Sequence, residues 1–225
     1  MAGVRRFVRE HSLSIVTLTA FVVIWLGGQA WAGHRTYVEE QRSHGEPAGG
    51  FGEYLTTAHF GEATFENWES EFLQMGVYVL LTAWLVQKGS AESKPPQGDP
   101  RLDEDPRDHR HDPDAPWPVR RGGWVLRLYE NSLGIALLGL FAVAFTGHLV
   151  AGAHEFNAEQ SAHGESEVST IGYLFRSQFW FESLQNWQSE FLAVGVLVIL
   201  SVYLRQRGSP ESKPVHEPHH ATGAP

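Results

Sequence analysis

The 225-residue sequence contains no cysteine, which excludes disulfide stapling, thiolate metal sites and thiol nucleophiles in any compartment. It also lacks a phosphate-cradling glycine loop, a Gly-x-Ser-x-Gly elbow and a His-Glu-x-x-His helix, so no enzyme template applies and catalysis is not expected. Basic residues are few, 17 against 26 acidic ones, and they are spread along apolar flanks, which excludes nucleic acid as an expected partner. A metal ion bound by such a chain would need His, Asp or Glu.

The mean hydropathy is slightly negative and alone suggests a soluble acidic protein. The distribution of the apolar residues reverses that expectation. Leu13 to Trp31 and Leu133 to Ala153 carry no charge, and each has roughly the 20 residues that cross a bilayer core. Phe72 to Val86 and Phe191 to Leu204 are uncharged too, but shorter. Trp31, Trp68 and Trp187 stand near the ends of these runs, as in an aromatic belt at the lipid headgroups.

The chain repeats itself. At a shift of 119, Glu40-Gln41, His44-Gly45-Glu46 and Tyr54-Leu55 meet Glu159-Gln160, His163-Gly164-Glu165 and Tyr173-Leu174. Asn67-Trp68-Glu69-Ser70-Glu71-Phe72 meets Asn186-Trp187-Gln188-Ser189-Glu190-Phe191, and Gly89-Ser90-Ala91-Glu92-Ser93-Lys94-Pro95 meets Gly208-Ser209-Pro210-Glu211-Ser212-Lys213-Pro214. Upstream the shift is 120, pairing Ser12-Leu13 with Ser132-Leu133 and His34 with His154, so one residue was gained or lost near the end of the first run. Each unit holds an even number of spans, so the copies are parallel repeats. Arg5-Arg6 followed by an apolar run resembles a signal peptide, but the run is too long and its duplicate lies in mid-chain, so no cleavage is expected.

The expected fold is an all-α membrane protein with four transmembrane helices, arranged as two parallel tandem repeats of an antiparallel helix pair. Residues 1–89 form repeat 1, with spans at about 13–33 and 66–87; residues 119–208 form repeat 2, with spans at about 132–153 and 185–205. The segments 90–118 and 209–225 are polar and rich in Pro and His, and are expected to be disordered. Fourteen of the 17 basic residues then lie on the side of the N-terminus, the linker and the C-terminus, which places those three in the cytoplasm. The opposite side carries glutamates without a single aspartate.

The fifteen residues of Phe72 to Val86 cover only about 22 Å as a helix, against a hydrocarbon core of about 30 Å. The Asn-Trp-x-Ser-Glu-Phe turns must therefore be drawn into the slab, carrying Glu71 and Glu190 with them, and an ionisable residue at that depth is a functional candidate. Aligning antiparallel helices within each repeat sets Gln29 level with Glu71 and His148 level with Glu190. The result is an intramembrane polar layer of Gln29, Asn67, Glu71, His148, Asn186 and Glu190, with His34 and His154 further out.

Three readings remain open. The layer fastens helices together through hydrogen bonds. Alternatively, Glu40-x-x-x-His44 and its repeat Glu159-x-x-x-His163 put carboxylate and imidazole on one helix face; with Glu71 and Glu190 they make a zinc or iron site, and a transition metal is the one cofactor raised. Lastly, Glu71, Glu190 and His148 are steps of a proton or ion pathway. Haem held by His34 and His154 ranks below these.

Through the paired Asn-Trp-x-Ser-Glu-Phe motifs and the Gly-Ser-x-Glu-Ser-Lys-Pro segments that close each half, the chain resembles an uncharacterised family of bacterial four-span integral membrane proteins with no assigned function. The resemblance implies the bacterial cytoplasmic membrane, with the lipid bilayer as partner. It leaves open association with a second copy or with another membrane protein.

Overall fold

A computed structural model describes residues 2–43, 45, 47 and 49–223, and among them there is no β-strand. The helices are α1 (Ala2–Glu10), α2 (Ser12–Val22), a π-helical segment (Val23–Gln29), α3 (Ala30–Ser43), α4 (Phe51–Tyr54) and α5 (Ala58–Trp84). They continue with α6 (Pro100–Asp103), a 3₁₀ turn (Pro106–His109), α7 (Trp117–Arg121), α8 (Gly123–Glu130), α9 (Ser132–Ala162), α10 (Thr170–Tyr173) and α11 (Ser177–Tyr203).

Among the described residues, three helices are long and apolar enough to cross a membrane: the continuous run Ser12–Arg42, α9 and α11. No residue of α2 is buried, and Leu13, Val16, Leu18 and Val23 stand free on its surface. An apolar face of that extent suits lipid, not water. Helix α5 matches α11 at 27 residues, but its first half carries Glu62, Glu66, Glu69 and Glu71, which lowers its hydropathy. It starts where Thr57 Oγ1 accepts the Phe60 N–H at 3.3 Å, an N-cap that satisfies one of the orphan donors of the first turn. The chain divides into two compact units.

The first unit comprises Met1–Thr64 and Gly147–Phe175. Ala30, Tyr54 and Phe60 form its core, with Trp25, Tyr37 and Leu55 against them, and Trp25 Nε1 donates to Thr64 Oγ1 at 3.1 Å. Gly33 and Gly152 are points of close approach to an aromatic ring. A Cβ on Gly33 would meet the Tyr54 hydroxyl and lie 3.1 Å from its Cζ; one on Gly152 would stand 2.9 Å from Tyr173 Cε1 and 3.2 Å from its hydroxyl. Gly33 and Tyr54 correspond to Gly152 and Tyr173 at a shift of 119, so that shift already holds at Gly33 and sets His34 opposite Ala153, not His154. A π-helical segment, Val23–Gln29, lies between Leu13 and Gly33, where the shift changes, and a turn of that kind takes up one residue more than an α-helical turn.

The second unit comprises Phe65–Thr146 and Arg176–Pro225. Phe145 stacks edge-on against Phe179 at 5.2 Å between centroids, and Phe141 meets Trp187 at 6.1 Å. Helices α5 and α11 end in the same turn. Gln87 N–H donates to Ser93 Oγ at 2.8 Å and Gln206 N–H to Ser212 Oγ at 2.9 Å, with Gly89 and Gly208 at φ of 89° and 85° between them. Only glycine adopts that conformation without strain, which explains why both motifs begin with it. The segment after Gly208 was expected to be disordered because it has too few apolar residues for a core. Its contacts are polar instead: the Lys213 ammonium, 1% exposed, donates to the carbonyls of Gly89, His219 and Ala221.

Gly33→Ala is expected to destabilise the protein by about 1–3 kcal/mol through overpacking. Adding Tyr54→Phe, which removes the obstructing hydroxyl, should return part of that loss. Thermal unfolding of the two single variants and the double variant in detergent checks this; strictly additive effects would rule out the close approach as the cause.

Candidate functional site

In the first unit, protonatable side chains line one face of α9. Residues 148, 152, 155 and 159 recur at steps of four, three and four, which keeps them on the same side of a helix. His148 is 0% exposed, and a ring nitrogen of it lies within 4.8 Å of the half-buried Glu62 carboxylate on α5. The approach depends on small residues: a Cβ on Gly61 would be 3.3 Å from Ala151 Cβ, and one on Gly152 3.0 Å from Glu62 Oε1. Two turns further along, the Glu155 charge acts on His59, Glu40 and Glu159. Tyr54, 1% exposed, shares a 3.1 Å hydrogen bond between its hydroxyl and His59 Nδ1. Burial, and then the Glu155 charge, push the Tyr54 phenol above its ordinary value, so it remains protonated at neutral pH. The arrangement is a ladder of carboxylates, imidazoles and a phenol leading to a buried His–Glu pair.

In the second unit, the Asn-Trp-x-Ser-Glu-Phe turns of α5 and α11 lie side by side. Asn186 Nδ2 donates to Glu66 Oε1 at 2.6 Å and Trp187 Nε1 to Glu69 Oε1 at 3.2 Å, and Glu69 is 0% exposed. In both copies the serine hydroxyl turns back onto its own helix, Ser70 to Asn67 O and Ser189 to Asn186 O, each at 2.8 Å. Glu71 is exposed on the chain and Glu190 half-buried, and their charges are close enough to act on each other.

The residues singled out from the sequence are divided between the two units. Of the polar layer, Gln29 and His148 belong to the first unit, and Asn67, Glu71, Asn186 and Glu190 to the second. Of the metal candidates, Glu40, Glu159 and His163 belong to the first unit and Glu71 and Glu190 to the second, while His44 lies outside the described residues. His163 is exposed, with its Nδ1 2.8 Å from the carbonyl of Glu159. Glu62, Glu66, Glu69 and Glu155 did not emerge from the sequence comparison, because their counterparts in the other copy are not carboxylates. Glu66 and Glu69, for example, match Gln185 and Gln188.

A carboxyl pair closes the second unit. The Tyr78 hydroxyl donates to Glu92 Oε2 at 3.1 Å, whereas the buried Glu92 Oε1 receives no hydrogen bond. Burial above all, with the neighbouring Glu211 adding to it, raises the Glu92 carboxyl above its ordinary value, against the pull of the Tyr78 hydrogen bond. The two glutamates are the fourth residues of the two Gly-Ser-x-Glu-Ser-Lys-Pro copies, and the repetition is the signal by which they could have been found.

The fold defines an all-helical protein with three helices fit to span a bilayer and ionisable groups buried among its helices. The chain belongs to the family described as a domain of unknown function, DUF6766, whose model matches residues 4–224. No curated protein and no solved structure matches it.

Because the folded Glu92 binds its proton more tightly than the unfolded chain, its stabilising contribution is complete below the unfolded value, near 4.5, and is lost as pH rises through the folded value. Glu92→Gln should therefore gain stability over the parent as pH is raised from about 4.5. Melting curves of both across that range check it; parallel pH profiles would mean Glu92 is solvated.

Proposed function

We propose that the chain is a four-span protein of the bacterial cytoplasmic membrane, built from two parallel repeats with both termini inside, and that its first unit carries a proton or ion pathway. The observation supporting this most directly is His148, wholly buried on a helix apolar enough to cross lipid and on the same helix face as Glu155, two turns away. A protonatable residue at such a position is costly and is retained for paths and relays. The second-unit layer acts as a fastener: Glu66 and Glu69 accept the donors of Asn186 and Trp187, so helices that share no hydrophobic drive in lipid are held by hydrogen bonds.

The two roles separate by experiment. In liposomes bearing a pH gradient, His148→Gln and Glu155→Gln are expected to abolish flux while the protein still folds. Glu69→Leu leaves the Trp187 N–H without its acceptor and should cost about 1–3 kcal/mol of stability. Unchanged flux in His148→Gln would refute the pathway. The absence of native cysteine makes the topology testable directly. Gly50→Cys should react with an impermeant thiol reagent on intact cells, and Ala115→Cys only after lysis; the reverse pattern would invert the orientation.

A further inference from the structure

We propose that His148 and Glu62 bind a divalent first-row transition-metal ion, zinc or ferrous iron in class, so that the pathway of the first unit serves a metal cation. The inference rests on the cation-pathway reading and names its substrate class.

The donor set selects the ion. An imidazole nitrogen with a carboxylate oxygen suits zinc, iron and manganese, whereas calcium and magnesium take oxygen ligands alone and copper(I) takes sulfur. Without cysteine the chain has no thiolate to offer. The two ligand atoms lie within 4.8 Å, so an ion about 2.0–2.2 Å from each is reached with a small side-chain rotation. The helices approach closely at this position: a Cβ on Gly61 would lie 3.3 Å from Ala151 Cβ, and Gly152 makes room for the Glu62 carboxylate.

The side of the unit that carries the pair has the matching charge. Glu155 and Glu159 lie on the same face of α9 as His148, and the Glu155 charge also acts on Glu40 and His59, so carboxylates and an imidazole gather on that side of the unit. Such a cluster concentrates cations around it. The proposed outer face adds to the field, because Arg35, Arg42 and Arg176 are its only basic residues besides histidine.

Zinc binding to the full chain, purified in detergent with a tag free of histidine and stripped by chelator, tests the proposal. Metal analysis is expected to give about one equivalent, with affinity at least tenfold lower in His148→Gln and in Glu62→Gln. A control changing His216, His219 and His220 together to Gln should bind as the parent does. Cobalt(II) replaces zinc as a spectroscopic probe and should develop the visible absorption of a low-coordinate site, so the unmutated protein gives an answer even if a ligand variant fails to fold. Less than about 0.2 equivalents of zinc, the spectrum of hydrated cobalt, or binding lost only in the tail control would overturn the site. If zinc does not bind while His148→Gln still abolishes proton flux, the metal proposal falls and the pathway stands. If zinc binds at His148 but no ion crosses the membrane, the site stands and the pathway falls.

Discussion

A carboxylate on a helix without water around it must be neutralised, paired or given donors, and both units are arranged around that requirement. In the second unit the solution is static. Glu69 has no exposed surface and takes the indole N–H of Trp187, and Glu66 takes the amide of Asn186. In the first unit the ionisable groups are strung along one face of α9 and confront one another, which favours exchange of protons or binding of a cation over simple adhesion.

The two copies of the Asn-Trp-x-Ser-Glu-Phe motif are not equivalent in this respect. The first supplies acceptors, Glu66 and Glu69, and the second replaces them with Gln185 and Gln188 while supplying donors. Gln185 and Gln188 themselves are exposed, and the Gln188 amide donates to the Gln185 carbonyl of its own helix at 3.1 Å. The Gly-Ser-x-Glu-Ser-Lys-Pro segments carry a glutamate in both places, Glu92 and Glu211, and there burial first and then the Glu211 charge raise the Glu92 carboxyl.

Much of the local structure was legible in the sequence. The helical class followed from the uninterrupted apolar runs. Helix α5 starts behind the Thr57 cap, whereas α11 starts at Ser177 with Arg176 in the cap position and no side-chain cap; they stop at Trp84 and Tyr203, before the Gly89 and Gly208 turns. The buried carboxylates were not legible, because α5 is apolar around much of its circumference beyond Phe72 and hydropathy does not fix its rotation. The His148–Glu62 pair was hidden for a different reason. Sequence alignment paired helices within each copy, setting His148 against Glu190, whereas in the first unit the start of α5 meets α9, a helix of the other copy, at Gly61 and Ala151. Nothing local encodes that choice of neighbour. The glycines that permit it read as ordinary small residues until their surroundings are known.

The π-helical turns between α2 and α3 carry an evolutionary implication. In a regular α-helix an added residue swings everything beyond it by about 100° and would turn Gly33 and its face away from Tyr54. A widened turn of backbone stores a surplus residue locally, so the distant packing surface stays in phase. The first half of the molecule thus possesses a slack point, and the second half, helical without interruption from Ser132 to Ala162, has none.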